Sequence, residues 1–207
     1  MKAVGMKLVV GMTGATGAAI GIRILEALSD LGVETHLVIT KWARATIHME
    51  TPYSVNDVMA LASKTYSEQD QAAAIASGSY RVDGMIVAPC SMKTLAAIRC
   101  GYGDGLVARA ADVSLKEQRR LVLVPRESPL SAIHLENMLA LTRAGAMMLP
   151  PMPAFYNNPE TTADIVDHIV SRVLDQFGLD NSLTTRWNGT KAARNHSIEG
   201  MPHDVPQ

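Results

Sequence analysis

Residues 7–17 read KLVVGMTGATG, and this stretch decides the fold. Its first six residues are mostly apolar and β-branched, which is typical of a buried parallel strand. Glycines follow at positions 11, 14 and 17, and apolar side chains then recur at helical spacing from Ala18 to Leu31. A strand, a glycine-rich turn and a helix in this order predict the first unit of an α/β domain.

The same alternation continues along the chain. Further strands are predicted at 33–40, 82–88, 120–124 and 146–149, and helices at 41–49, 92–100, 106–115, 131–143 and 160–177. Ser131 is a candidate N-cap, and Ile133, Met138 and Leu141 are predicted to face inward. Residues 51–80 are expected to form an irregular connection. The pattern indicates a Rossmann-like or flavodoxin-like three-layer fold with a mostly parallel sheet, as one domain over 6–187, before a polar, mobile tail over 188–207.

Composition excludes several classes of function. Of the 207 residues 47% are hydrophobic and 19% charged, and the net charge is −1, so no global field would attract nucleic acid or an anionic membrane. We expect no signal peptide, the sequence has no apolar run of about 18 residues, and two cysteines make no disulfide framework. We expect a cytoplasmic protein without a metal site.

The glycine turn predicts an anion site. Glycines let the backbone approach a phosphate, a helix N-terminus supplies N–H groups, and Thr13 and Thr16 add hydroxyl donors. A tight turn without a ligand would have the same sequence. A dinucleotide site expects an acidic residue after the second strand, but that strand ends in Lys41 and Trp42. A mononucleotide therefore fits better, although an NADP site would tolerate the lysine.

A second group of residues suits a phosphate monoester. Ser91 follows the third predicted strand and could bond a flat ring or a reacting group, whereas Cys90 is interpreted as a buried small hydrophobe. Cations and a tyrosine follow at Arg109, Lys116, Arg126, Tyr156 and Arg172. Each cation alone would more often be a solvated charge, but together they would bind a dianion and stabilise it as a leaving group. Glu127 is interpreted as a proton-transfer group or as an ion-pair partner of Arg126.

Several motifs in the same order resemble the UbiX-type flavin prenyltransferases, including the members encoded together with hydroxyaryl acid decarboxylases. The resemblance covers roughly residues 6–187. It rests on Gly11-Met-Thr-Gly-Ala-Thr-Gly-Ala18, Pro89-Cys-Ser-Met-Lys-Thr94, Arg109-Ala-Ala-Asp112, Leu115-Lys-Glu117, Arg126-Glu-Ser-Pro129, His134-Leu-Glu-Asn-Met138 and Pro153-Ala-Phe-Tyr156.

The resemblance implies a metal-independent enzyme that joins a dimethylallyl group from dimethylallyl phosphate to N5 and C6 of reduced FMN. The prenylated FMN would pass to a UbiD-type decarboxylase. Relatives form homo-oligomers, commonly dodecamers, with sites at subunit contacts. FMN would be contacted by Gly14, Ala15, Thr16, Thr40, Ser91, Met92, Arg109 and Arg126. The prenyl phosphate would be held by Lys116, Arg126, Tyr156 and Arg172.

Catalytic roles are implied for Glu127, Ser91 and Glu50, and Trp187 would cover the site. Many relatives carry serine where this chain has Thr16, a difference expected to alter rate more than reaction type. Besides an NADP-dependent reductase, which Lys41 and Trp42 would support only modestly, two alternatives remain at this stage. One is an FMN-dependent cysteinyl-peptide decarboxylase, which would not need the cation set. The other is a non-catalytic flavin carrier, which would not need a phosphate-monoester pocket.

Overall fold

The computed structural model describes residues 5–187 and residue 189. It contains one sheet of parallel strands in the order β3-β2-β1-β4-β5-β6. The strands are β1 (Lys7–Met12), β2 (Glu34–Ile39), β3 (Lys64–Tyr66), β4 (Gly84–Cys90), β5 (Arg120–Pro125) and β6 (Met147–Met148). The helices are α1 (Ala18–Asp30), α2 (Lys41–Glu50), α3 (Val55–Ala60), α4 (Met92–Cys100), α5 (Leu106–Lys116), α6 (Ala132–Arg143) and α7 (Thr162–Asp175). The predicted α/β fold with a parallel sheet is confirmed.

Helices cover both faces of the sheet, and each face has its own apolar core. On one face α1, α2, α3 and α7 pack around residues such as Leu25 and Val170. On the other, α4, α5 and one side of α6 pack around residues such as Leu95 and Leu106. These four side chains are completely buried, and each contributes roughly 1.5–3 kcal/mol by leaving water.

The strand order reverses between β1 and β4, which are adjacent in the sheet. The connection after β1 leads outward through β2 to β3, whereas the connection after β4 leads the opposite way through β5 to β6. The loops at the carboxyl ends of β1 and β4 therefore diverge. Ligands of open α/β sheets bind in the crevice between such loops. We call the crevice at the carboxyl ends of β1 and β4 the switch-point crevice.

The prediction of an irregular connection over 51–80 is wrong. This segment contains α3, the edge strand β3 and a 3₁₀ turn at Ala74–Ala76. Ser54 is the N-cap of α3 and forms a capping box with Asp57. The strand β3 has only three residues, too few for a period-2 pattern to emerge.

The prediction that Ile133 faces the core is also wrong, since this side chain is 68% exposed. Leu141 is the buried residue of α6, and Met138 is half-buried. Ser131 does cap the helix as predicted. We call the exposed apolar side chains Leu130, Leu135 and Leu139, on α6 and just before it, the α6 face, whereas Ile133 is exposed on another side of the helix. A helix with so much uncovered apolar surface is typical of a protein–protein contact.

Among residues 5–187 and 189, no helix is long and apolar enough to cross a bilayer. The same residues contain no cluster of three or more His, Cys, Asp or Glu arranged to hold a metal ion. The predicted tail over 188–207 lies outside the described residues, apart from residue 189.

Candidate functional site

Thr13 joins the two loops of the switch-point crevice. Its hydroxyl donates to the carbonyl of Pro89 at 2.8 Å and accepts from the backbone N–H of Ser91, also at 2.8 Å. Its own N–H bonds the same Pro89 carbonyl. Because Thr13 is only 1% exposed and its hydroxyl is fully engaged, it is a structural tie. The expectation that Thr13 supplies a ligand donor is therefore wrong.

Two glycines of the turn are required by geometry. Gly17 has a φ of 105°, in the left-handed region that glycine adopts without steric cost. Gly14 has no room for a side chain, because a Cβ there would collide with Trp42 at the start of α2. The turn is thus held close to α2, and Thr16 is left exposed at its tip.

Glu50, the last residue of α2, caps the N-terminus of α1. Its carboxylate accepts the backbone N–H groups of Gly17 at 2.8 Å and Ala18 at 2.9 Å. Burial opposes ionisation of this carboxyl, but the Thr16 hydroxyl, the two N–H groups and the charge of Arg126 outweigh it, so its pKa is lowered. The first N–H groups of α1 are therefore occupied. A phosphate at this helix end, which the glycine turn suggested, would have to displace Glu50.

The lowered pKa of Glu50 makes a stability prediction. A carboxyl whose folded-state pKa is depressed stabilises the fold above its unfolded pKa of about 4.3, and the contribution is lost as pH falls through the folded value. Glu50→Gln should lower the free energy of unfolding by about 0.5–1 kcal/mol at pH 7, a modest cost because the site is exposed. Urea titration should show the difference shrinking below about pH 4. Glu136→Gln, an exposed change on α6, is the control, and an equal Glu50 effect at about pH 3.5 and pH 7 would contradict the charge assignment.

The helix that follows β4 has the freest N-terminus of the three beside the crevice. At α2, Thr40 caps with its side chain and the Glu68 carboxylate accepts the N–H of Lys41 at 2.9 Å. At α4, Ser91 caps the N–H of Thr94, while the N–H groups of Met92 and Lys93 have no partner within the described residues. Free N–H groups at a helix N-terminus attract anions. The α4 end therefore suits an anion better than the α1 end.

Arg126 and Glu127 emerge at the same edge of the sheet. The N–H of Arg126 bonds the carbonyl of Cys90 at 3.1 Å, which fixes the loop after β5 beside the loop after β4. Glu127 accepts from the N–H of Ser128 at 3.1 Å and makes no ion pair with Arg126 within the described residues. Both side chains are exposed, so they remain available to a ligand.

The crevice thus gathers a large part of the predicted site. The predicted residues at its walls and rim are Gly14, Ala15, Thr16, Thr40, Glu50, Ser91, Met92, Arg126 and Glu127. They come from loops that follow β1, β2, β4 and β5 and from the end of α2. Of the other predicted residues, Lys116, Tyr156 and Arg172 lie elsewhere, whereas Arg109 is on the first turn of α5, whose Leu106 N–H bonds the Glu68 carbonyl near the start of α2.

Arg109 and Lys116 are both on α5, but they are committed to different neighbours. Arg109 donates to the carbonyl of Ala76 at 3.1 Å and pairs with Asp112 at 2.8 Å. Lys116 is the last residue of α5 and lies near the amino ends of the strands, opposite the crevice, because β5 begins shortly after it. Its side chain pairs with Glu117. A six-residue strand is about 20 Å long, so Lys116 lies roughly that far from the crevice of its own chain.

Tyr156 and Arg172 form a third location, which we call the α7 corner. The ring of Tyr156 lies between His168 and Trp187, with centroid distances of 5.7 and 5.6 Å. Arg172 lies one turn after His168 on α7, and it pairs with Asp175 at 2.8 Å. Arg186 pairs with the other oxygen of Asp175 at 2.7 Å. Trp187 is therefore beside Tyr156, next to one of the residues it was predicted to cover.

A single chain therefore does not bring the predicted phosphate-binding residues together. Arg126 lies at the switch-point crevice, Lys116 at the opposite edge of the sheet, and the Tyr156–Arg172 pair at the α7 corner. The three exposed cations point to separate parts of the surface. A phosphate site using all of them requires more than one copy of the chain.

Two further features carry no ligand assignment. Cys90 is a buried hydrophobe as predicted, and burial raises the pKa of its thiol to about 12. A cavity of about 310 Å³ lies between α1, α7 and residues 50–53, and it shares Glu50 with the rim of the crevice. Its polar groups bond each other, with Arg23 on Asp167 at 2.6 Å and the Tyr53 hydroxyl on a Glu26 oxygen at 2.7 Å.

Two residues of the site have no signal in the sequence. Glu68 caps α2 from 27 residues away, inside the segment for which we predicted no regular element. His168 lies beneath Tyr156, but on an amphipathic helix it has the appearance of an ordinary core residue. The sign that distinguishes His168 is that a polar residue stands at a buried position of α7, and that sign appears only when burial is known.

Comparison with known proteins identifies the family. The Flavoprotein family model matches residues 2–174. A probable UbiX-like flavin prenyltransferase of Escherichia coli O157:H7 is 67% identical over 195 residues, which cover 94% of this chain and 99% of that protein. The crystal structure of a dodecameric FMN-dependent UbiX-like decarboxylase from the same organism has 68% identity and a TM-score of 0.88, covering 89% of this chain and 100% of that one.

A second solved structure contains two ligands. It is AnUbiX (PadA1) in complex with FMN and dimethylallyl pyrophosphate, with 58% identity and a TM-score of 0.88, covering 89% of this chain and 98% of that one. FMN-dependent cysteine decarboxylases are only 17–18% identical, which shows a shared fold alone. These relatives and the family match remove the NADP-dependent alternative. The chain belongs to the Flavoprotein family and, within it, to the UbiX-like flavin prenyltransferases.

Proposed function

We propose that this protein transfers a dimethylallyl group from dimethylallyl phosphate to reduced FMN, without a metal. In the reaction the C–O bond of the prenyl phosphate breaks and its electron pair leaves with phosphate, while N5 of the flavin bonds the freed carbon and loses its proton. The prenyl C=C then takes up a proton at one carbon, and its other carbon bonds to C6, which releases a proton. The observation that carries the proposal is the switch-point crevice, which combines free helix N–H groups, hydroxyls and Arg126 in a chain of this family.

The crevice residues fit FMN as a donor set. The unpartnered N–H groups at the start of α4, with the hydroxyls of Ser91 and Thr94, would hold its phosphate. The α1 end is less suited, because Glu50 occupies it. The exposed loop at Gly14 to Thr16 would then lie against the flavin ring, where Glu50 and Thr16 could hold or move a proton.

The second substrate would bind where several copies of the chain meet. A dianion requires several directed cations, and Lys116, Arg126 and Arg172 are on separate surfaces of one chain. The α6 face begins directly after the Arg126–Glu127 loop, and it exposes leucines that a second copy would bury. The dodecameric relative supports a homo-oligomer, which we propose is also a dodecamer.

In such an assembly the chain's own residues have distinct roles. Lys116, Arg126, Tyr156 and Arg172 would bind phosphate and stabilise its charge as it leaves. Glu127 is free of ion pairs in the described chain, so it could pass a proton to the phosphate. Arg109, which bonds Ala76 and Asp112 in its own chain, would shape the wall beside the flavin.

The product would serve as cofactor for a UbiD-type decarboxylase, and we propose the cytoplasm as the place of synthesis. The two free cysteines, Cys90 and Cys100, suit a reducing compartment. The peptide-decarboxylase alternative is weakened by the sequence at 125–129, PRESP, which supplies Arg126 and Glu127. A flavin carrier would have no use for a phosphate-monoester site.

An anaerobic single-turnover experiment tests the proposal. Protein, reduced FMN and dimethylallyl phosphate are mixed, the flavin is extracted for mass spectrometry, and free phosphate is measured. We expect a flavin heavier by one prenyl group and one phosphate released per flavin modified. A parallel sample with the diphosphate identifies the preferred donor. Unchanged flavin from folded, FMN-loaded protein with both donors would refute the transferase assignment.

A further inference from the structure

The α7 corner contains an unexplained polar residue. His168 is only 7% exposed, and its Nδ1 is buried without a hydrogen-bond partner. The other buried side-chain atom without a partner among the described residues is Oδ1 of Asn157, which directly follows Tyr156. Native structures leave few such atoms, and each calls for an explanation. Both flank the same tyrosine.

The ring of His168 fixes the position of Tyr156. The two rings meet edge to face, with an interplanar angle of 84°, and Trp187 closes on Tyr156 at 78°. Such aromatic pairs are attractive beyond the area they bury. Tyr156 is still 51% exposed, and its hydroxyl has no partner within the described residues. The tyrosine is therefore held by its ring, with its hydroxyl available.

The loop that carries Tyr156 has few other attachments. Asn157 donates from Nδ2 to the Thr184 hydroxyl at 3.1 Å, which connects the loop to the segment before Trp187. The rest of this loop contains no helix or strand from Leu149 to Thr161. Because an irregular loop does not orient a side chain by itself, the rigid helix α7 supplies the reference surface through His168.

We infer that His168 is a positioning residue for the prenyl phosphate: its ring, held on α7, orients Tyr156 beside Arg172. This inference rests on the proposed function and adds a residue of the second-substrate site. His168 acts through the contact of its ring with Tyr156. Its unpartnered Nδ1 has no part in this role and lowers the stability of the fold. A phenyl ring at this position should therefore perform the same task, whereas a methyl group should not.

Two variants test the inference. His168→Ala should raise the KM for dimethylallyl phosphate by about tenfold and also lower turnover, because Tyr156 stabilises the departing phosphate, while FMN retention stays close to wild type. His168→Phe should keep the wild-type KM. As a readout independent of turnover, inorganic phosphate should raise the Tm of the wild type and His168→Phe more than that of His168→Ala.

The stability of the phenylalanine variant provides a second measurement. Removing the unpartnered nitrogen should raise Tm by about 2–4 °C. Burial and the positive charge of Arg172 lower the pKa of His168, against an opposing effect of Asp175. Protonation of the unfolded chain therefore destabilises the wild type as pH falls below about 6.5, and the Tm gap should widen there. The titratable and charged groups near the His168 ring are Tyr156, Arg172 and Asp175. Arg186 acts on it indirectly, because it pairs with Asp175.

Failure of the inference is distinguishable from failure of the proposed function. If the wild type does not prenylate FMN, the function itself is wrong. If the wild type is active and His168→Ala has an unchanged KM and an unchanged phosphate response, His168 is only a packing residue. If His168→Phe loses as much as His168→Ala, the nitrogen acts directly and the ring-contact account is overturned.

Discussion

Leu139→Glu is expected to leave the chain folded but to prevent assembly, and to reduce prenyl transfer at least about 100-fold. Leu139 is 51% exposed at the C-terminal end of the α6 face, so the monomer tolerates a glutamate there. A second copy packed on this face would have to bury the charge without a partner, which is strongly unfavourable. Loss of a neighbour's cations would then remove phosphate contacts worth about 2–3 kcal/mol, or about 100-fold in rate.

Light scattering coupled to gel filtration measures the assembly, and circular dichroism measures the fold. Leu139→Met is the matched control, because it keeps an apolar side chain of similar volume at the same position. It should assemble and turn over like the wild type. Full-size oligomers of Leu139→Glu would refute the α6 face as a subunit contact. Small oligomers with wild-type activity would refute the shared site.

Lys116→Ala is expected to lower kcat/KM for the prenyl phosphate by about 100-fold while FMN retention stays at the wild-type level. A hydrogen bond to a charged group contributes about 1.5–3 kcal/mol, which corresponds to a loss of about 10- to 150-fold. The residue lies at the sheet edge opposite the crevice, so its loss cannot disturb the flavin loops of its own chain.

Glu117→Ala is the matched control for this prediction. In one chain Lys116 pairs with Glu117, so removing the glutamate breaks the pair and keeps the positive charge. Activity should be retained in Glu117→Ala. If it falls as far as in Lys116→Ala, the ion pair is structural and Lys116 does not act on the substrate. If FMN is lost from Lys116→Ala, the assignment of this lysine to the second substrate is wrong.

The fold could be predicted because its signals are local. The run of apolar residues in β1, the glycine at position 17 and the helical spacing in α1 are close together in the sequence and agree. Ser131 at the start of α6 is a local signal of the same kind. Where the signal was short, as in the three residues of β3, the prediction failed.

The site could be predicted only in part, since its contacts are long-range. Glu50 caps a helix that begins 32 residues earlier, and no sequence pattern connects them. Ile133 follows helical spacing, but periodicity does not distinguish a side chain facing the core from one facing a second copy. The cations were expected to converge, and within one chain they do not. Their convergence depends on the assembly, which a single chain does not contain.

Mixed oligomers test the shared site most directly. Chains with Lys116→Ala and chains with Arg126→Ala, each nearly inactive as a homo-oligomer, are co-expressed with different tags and purified through both. If Lys116 of one copy serves the crevice of another, about one site in four should combine two intact residues, and prenylated FMN should reappear at roughly that fraction of wild-type activity. Mixed oligomers that remain as inactive as their parents would contradict a site completed by a neighbouring copy.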